Sequence, residues 1–154
     1  LYNLGKIIYN INKEREIMNS EFKKIVNDIL KETKHSREKL DALDEKLKKG
    51  NIDYIEDAKI ATGHGNFILK RYKKVKALKK SKDDEKYLDL KLKTKDDEKF
   101  VATSANREAS AYVGELRLLR DILEGYVEAA NNIMSVCRLE RKDKESEKQI
   151  SAQL

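Results

Sequence analysis

The chain has 154 residues, the size of one domain, with 40% charged and 39% hydrophobic residues, no Pro, no Trp, a single Cys and a formal net charge of +6. A chain rich in Lys, Glu, Leu, Ala and Arg and empty of Pro excludes a sheet-based fold and points to long helices. One cysteine excludes an intramolecular disulfide and fits a reducing, cytoplasmic setting, and no apolar run is long enough to span a bilayer or to serve as a signal peptide.

The first helix is expected over about 4–49. Leu4, Ile8, Ile11, Met18, Phe22, Ile25 and Ile29 recur at helical spacing, interrupted at Arg15, and Ile7, Ile17, Val26 and Leu30 widen the stripe. After a polar gap of eleven residues from Ile29, the stripe resumes at Leu40, Leu43 and Leu47, so the seam is expected to drift. Lys46, Lys48 and Lys49 before Gly50 read as a helix C-terminus.

Asn51 offers an N-cap, with Asp53, Glu56 and Asp57 in the first turn of a second helix over about 52–93. Two readings stand for Thr62-Gly63-His64-Gly65-Asn66: a loop, or a continuous helix whose small residues let a neighbouring backbone come close. The continuous reading is preferred. The stretch Phe67–Lys82 holds eight basic residues in sixteen and no acid. Beyond it, Ser81-Lys82-Asp83-Asp84-Glu85-Lys86-Tyr87-Leu88 is echoed by Thr94-Lys95-Asp96-Asp97-Glu98-Lys99-Phe100-Val101, each copy carrying the hydroxyl-plus-acid pattern of a helix N-cap. Leu88 to Lys93 alternates with period two but has no partner strand, so helix is expected to about Lys93, then a break.

A third helix over about 97–142 carries the clearest pattern. Ala105, Ala109, Tyr112, Leu116, Leu119, Leu123, Tyr126, Ala130, Ile133 and Cys137 keep an unbroken four–three spacing. A second seam, Ala111, Leu118, Ile122, Gly125, Ala129 and Val136, lies beside it and implies two packing partners. The tail, 143–154, is expected to fray. The expected fold is therefore all-α: one elongated domain over 1–154 of long antiparallel helices, as a helical hairpin or coiled-coil bundle, assembled as a homo-oligomer.

Lysines along a helix track phosphates without reading sequence, so Lys70, Arg71, Lys73, Lys74, Lys76, Lys79 and Lys80 form a candidate nucleic-acid track. Tyr72 among them is placed to stack on a base, which favours single-stranded over duplex DNA. The competing reading is a solvated helix face paired with the acidic repeat. Asp83-Asp84-Glu85 and Asp96-Asp97-Glu98 read as capping and charge balance, since consecutive helical positions diverge and no calcium-loop glycine accompanies them. His35 and His64 lie on separate elements, with no acid or cysteine at a ligand spacing, and read as surface or helix-junction histidines. Cys137 reads as a small buried hydrophobe. No catalytic, metal or cofactor constellation emerges, and the expectation is a non-enzymatic protein whose alternative role is coiled-coil assembly, adaptor or inhibitor. Membrane attachment through Leu1–Lys13 is disfavoured because the apolar face is short.

The segments LKRYKKVKALKK, then SKDDEK and TKDDEK, then ANREASAYVGELRLLRDILEGYVEAANNIM, in that order, resemble the layout of the UvsY-type recombination mediators of T4-like phages and related small helical phage proteins. The resemblance covers about 51–141, with Lys70, Arg71 and Tyr72 matching the family's basic DNA-contact segment. It implies a homo-oligomer in the host cytoplasm that grips single-stranded DNA and helps a recombinase displace single-strand-binding protein. The chain departs from the family in its additional N-terminal helix and in lacking a glycine-aromatic segment after the heptads.

Overall fold

A computed structural model describes residues 20–94 and 99–152. Among these the chain forms α1 (Ser20–Lys48), α2 (Glu56–Lys93), α3 (Ala102–Tyr112) and α4 (Gly114–Ser151), with no strand. The all-α expectation holds. The part of the first helix expected before Ser20, and the Leu1–Lys13 segment weighed for membrane attachment, lie outside the described residues.

α1 ends as its sequence dictates. Gly50 takes φ +70°, its N–H bonds the Leu47 carbonyl at 3.1 Å, and the Asn51 N–H bonds the Lys46 carbonyl at 3.0 Å. These are the two hydrogen bonds of a Schellman stop. The N-cap of α2 is not Asn51 as expected. The Asp53 carboxylate accepts from the backbone N–H of Ile55 (2.9 Å) and Glu56 (2.8 Å), which holds its carboxyl below the ordinary aspartate range. Asp57, buried, closes the box by accepting from the Asp53 N–H at 2.8 Å and from Lys46 Nζ at 2.9 Å. The reversal is therefore short and rigid, and α1 and α2 run antiparallel.

α2 continues through Gly63 and Gly65 without a break. Gly65 is the close approach: a Cβ built there would lie 2.7 Å from the Ala130 Cβ. Gly63 faces open space. α4 returns antiparallel to α2, pairing Thr62 with Met134 and Tyr72 with Glu124. It lies parallel to α1: Phe22 near the start of α1 meets Tyr112 at the end of α3, just before α4 begins, and Asp41 further along α1 meets Tyr126 of α4. The core of this three-helix bundle is formed by Leu40 and Leu43 from α1, Ala61, Ile68 and Val75 from α2, and Leu119, Leu123, Ala130, Ile133 and Cys137 from α4.

Between Ile29 and Leu40 the α1 seam does not drift. Thr33 and Ser36, both buried, carry it at steps of four, three and four. Thr33 satisfies its hydroxyl on the Ile29 carbonyl at 2.8 Å, which lets a polar residue occupy a core position.

The last helix is broken where the sequence shows no interruption. Val113, fully buried, leaves helical geometry (φ −96°, ψ 17°) and separates α3 from α4. A β-branched residue followed by Gly114 is the weakest helical pair in the segment. Arg117 reaches back to donate to the Ser110 carbonyl at 2.9 Å, the acceptor that the Gly114 N–H would serve in an unbroken helix. The tail expected to fray is helical to Ser151, with exposed side chains and an i,i+4 pair between Arg141 and Glu145 at 3.0 Å. The first copy of the acidic repeat caps nothing, since Ser81 lies inside α2 and its hydroxyl bonds the Glu85 side chain at 3.1 Å. The three acids of the second copy, at 96–98, lie outside the described residues.

Candidate nucleic-acid interface

The buried face of α2 runs Ala61, Gly65, Ile68, Tyr72, Val75 in four–three steps. Carried forward, the same register reaches Lys79, Lys82 and Lys86, so the basic run does not share one face. Lys79 is directed inward, its side chain 19% exposed and paired with Asp83 at 3.0 Å. Lys82 pairs with Glu85 at 2.8 Å, and Lys86 with Glu108 of α3 at 3.6 Å. The first acidic repeat thus pairs Lys79 and Lys82 at the C-terminal end of the run, in the manner of the competing sequence reading, and leaves Lys80 out.

Arg71 and Tyr72 are also taken up internally. The Arg71 side chain is 21% exposed and ion-paired with Glu32 of α1. Its guanidinium sits 3.6 Å from the centre of the Phe67 ring, where stacking adds to the charge interaction. The hydrogen bond from Arg71, then its charge and that of Lys74, hold the Glu32 carboxyl below its ordinary range. Tyr72 packs its ring against the core and donates its hydroxyl to Glu124 of α4 at 2.6 Å. Lys76 leans the same way, donating to the Tyr72 hydroxyl at 3.3 Å. Tyr72 is therefore a packing residue, and the base-stacking role expected for it is not supported by its position.

What remains open is a narrower row. Lys70, Lys73, Lys74 and Lys80 are exposed on the face of α2 opposite Ile68 and Val75. Among the described residues none of the four takes an ion pair. At 1.5 Å rise per residue the row spans about 15 Å. Asn66, Ala77 and Ser81 between and beside them are exposed and uncharged, so no carboxylate interrupts the row.

Of the expected packing residues, Leu116, Leu119, Leu123 and Ile133 are buried within the chain, and Tyr112 and Tyr126 are half-buried. Burial raises the Tyr126 phenol, whose hydroxyl donates to Asp41 at 3.1 Å. The second seam is not buried: Leu118 is 51% exposed and Gly125 open. Cys137 is buried, and burial pushes its thiol up, which fits the packing role expected of it.

One contact went unforeseen. His35 and His64 meet across the α1–α2 interface with ring centres 5.5 Å apart, and His64 Nδ1 lies 3.0 Å from the Ser36 hydroxyl. No sequence signal announced this contact, because the two histidines lie on different helices and the seam that leads to Ser36 is polar. Among the described residues no group of three His, Cys, Asp or Glu is arranged to hold a metal ion, and no helix is long and apolar enough to cross a membrane.

Compared with known protein families, curated proteins and solved structures, the chain shows no match. The site must therefore be read from its own chemistry.

Proposed function

We propose that this protein is a non-enzymatic nucleic-acid-binding accessory protein that grips the phosphate backbone through the open lysine row of α2. The observation that carries this is the absence, among the described residues, of any ion pair to Lys70, Lys73, Lys74 and Lys80, on a helix whose other charges are largely paired. Four ammonium groups on a rigid helix attract phosphates without reading bases. Single-stranded DNA of the kind exposed in recombination or replication is the first ligand to test, in a mediator-like role beside a recombinase or single-strand-binding protein. With Tyr72 engaged by Glu124, affinity rests on charge alone, so steep salt dependence is part of the proposal. For about four phosphate contacts the slope of log K against log salt is roughly −3 on a single strand. The test is a salt-titrated binding measurement on single-stranded and duplex DNA. Reversal of Lys73, Lys74 and Lys80 to Glu should abolish binding, while reversal of the exposed Arg138, Lys142 and Lys148 on α4 should leave most of it. Equal losses from both sets would sink the proposal.

A second function, coiled-coil assembly or adaptor protein, is favoured by the exposure of Leu118 beside the half-buried Ile122, Ala129 and Val136. It predicts association through that face and no DNA binding at moderate salt.

A further inference from the structure

We propose that His35 and His64 form a two-imidazole clip for a borderline divalent transition metal ion such as Zn²⁺ or Ni²⁺, joining α1 to α2 at mid-bundle. The proposal stands on the α1–α2 geometry and is independent of nucleic-acid binding. At metal–nitrogen distances of about 2.0–2.1 Å, two imidazoles on one tetrahedral ion hold their ring centres roughly 5 Å apart. The His35 and His64 rings stand at 5.5 Å with planes inclined by 70°, close to the centre-to-centre spacing of a chelating pair. The second nitrogen of His64 is already oriented. Nδ1 lies 3.0 Å from the hydroxyl of buried Ser36, and with the Nδ1 proton given to that oxygen, Nε2 presents its lone pair. A second partner that fixes tautomer and ring angle is what ligating histidines commonly use.

The surroundings suit an ion that keeps part of its water. The two rings open on a surface cavity of about 440 Å³ lined also by Glu32, Lys59, Gly63 and Phe67. Glu32 stands one helical turn before His35. It stays with Arg71 and contributes negative charge from the cavity wall, while Lys59 is paired with Glu56 at 2.8 Å. Lys39 bears on His64 electrostatically, and burial, then His35 and Lys39, holds the His64 imidazolium below the ordinary histidine range. With two nitrogen donors and water in the remaining positions, the clip selects imidazole-preferring ions over Mg²⁺ or Ca²⁺. The sequence hides it because the donors are 29 residues apart (35 to 64) on different helices.

The experiment is thermal unfolding of the full chain at pH 7.5, first stripped with chelator, then titrated with ZnCl₂ or NiCl₂, with MgCl₂ in parallel. An ion held only by the folded state raises the unfolding midpoint with its concentration. The midpoint should rise with Zn²⁺ or Ni²⁺, not with Mg²⁺, and the rise should shrink on acidification as protons compete for the imidazoles. His35→Gln, at an exposed position, and His64→Gln should each lose the rise while remaining folded in chelator. Nitrogen superhyperfine splitting from two imidazoles in the Cu²⁺-loaded protein gives a readout that does not depend on stability. No rise in the native chain, or an equal rise in both variants, would overturn the clip.

Discussion

At the scale of single residues, two glycines two positions apart make opposite predictions. Gly63 faces open space inside a helix, whereas a Cβ at Gly65 would meet the Ala130 Cβ at 2.7 Å. Gly63→Ala should therefore raise unfolding free energy by about 0.5–1 kcal/mol through helix propensity and a less free unfolded chain. Gly65→Ala should lower it by about 1–3 kcal/mol, because α2 and α4 must separate to admit the methyl. Urea midpoints of the two variants, measured side by side, check both signs. Glu115 gives a pH-dependent case. Both its carboxylate oxygens are shielded from solvent and, among the described residues, have no hydrogen-bond partner. Burial raises its pKa above the ordinary glutamate value, with Lys23 opposing. Above both the unfolded and the folded pKa the carboxylate is ionised in both states and its burial destabilises the fold. As pH falls through the raised folded pKa that penalty is removed. Glu115→Met should thus stabilise the chain by about 1 kcal/mol at pH 7, and the gain should shrink in acid. A constant gain across pH would show that packing, not charge, is responsible.

At the scale of elements, the α1–α2 reversal is held by one buried carboxylate rather than by its surface charges. Asp57 joins Lys46 on α1 to the Asp53 N–H at the mouth of α2. Asp57→Ala should cost about 1.5–3 kcal/mol, the range for hydrogen bonds to a charged group. Lys59→Met, which removes an exposed pair with Glu56, should change stability by less than about 0.5 kcal/mol. Chemical denaturation of the two variants separates these outcomes. The elements that the sequence made legible were those whose signal is apolar or steric. The seam from Ala105 to Cys137, the Gly50 stop and the end near Lys93 each follow from side-chain shape and polarity in register. The polar core positions Thr33 and Ser36 were not legible, because a hydroxyl looks in sequence like any surface residue until its partner is known: the Ile29 carbonyl of the same helix for Thr33, and His64 of α2 for Ser36. The break at Val113 was equally silent, since apolar spacing continues across it and only backbone hydrogen bonding changes. The division of the basic run into an open row and an inward set was available: the four–three register through Ile68, Tyr72 and Val75 lands on Lys79. Net charge alone obscured it.

At the scale of the whole molecule, the seam that the sequence offered for helix packing or for an oligomer is taken up inside the bundle. Leu116 and Leu123 have no exposed surface, and Leu123 belongs to a core completed by α1 and α2 of the same chain. Association between copies, if it is to use α4, must use the other face, where Leu118 stands exposed above Gly125. The two faces can be told apart by how stability depends on protein concentration. A chain held together internally unfolds at a midpoint that does not change on dilution, whereas one stabilised by a partner copy loses stability as it is diluted. Leu123→Ala should cost about 2–5 kcal/mol, the usual range for emptying a well-packed leucine site, and the loss should be the same at low and high protein concentration. Leu118→Glu should leave the monomer's stability within about 0.5 kcal/mol, while removing any concentration dependence that the native chain shows. If instead Leu123→Ala dissociates an assembly without lowering the stability of the isolated chain, the seam belongs to an interface and the bundle is built between copies. Sedimentation analysis of the two variants beside their unfolding curves decides the matter, because only an internal seam couples Leu123 to folding and leaves mass unaffected.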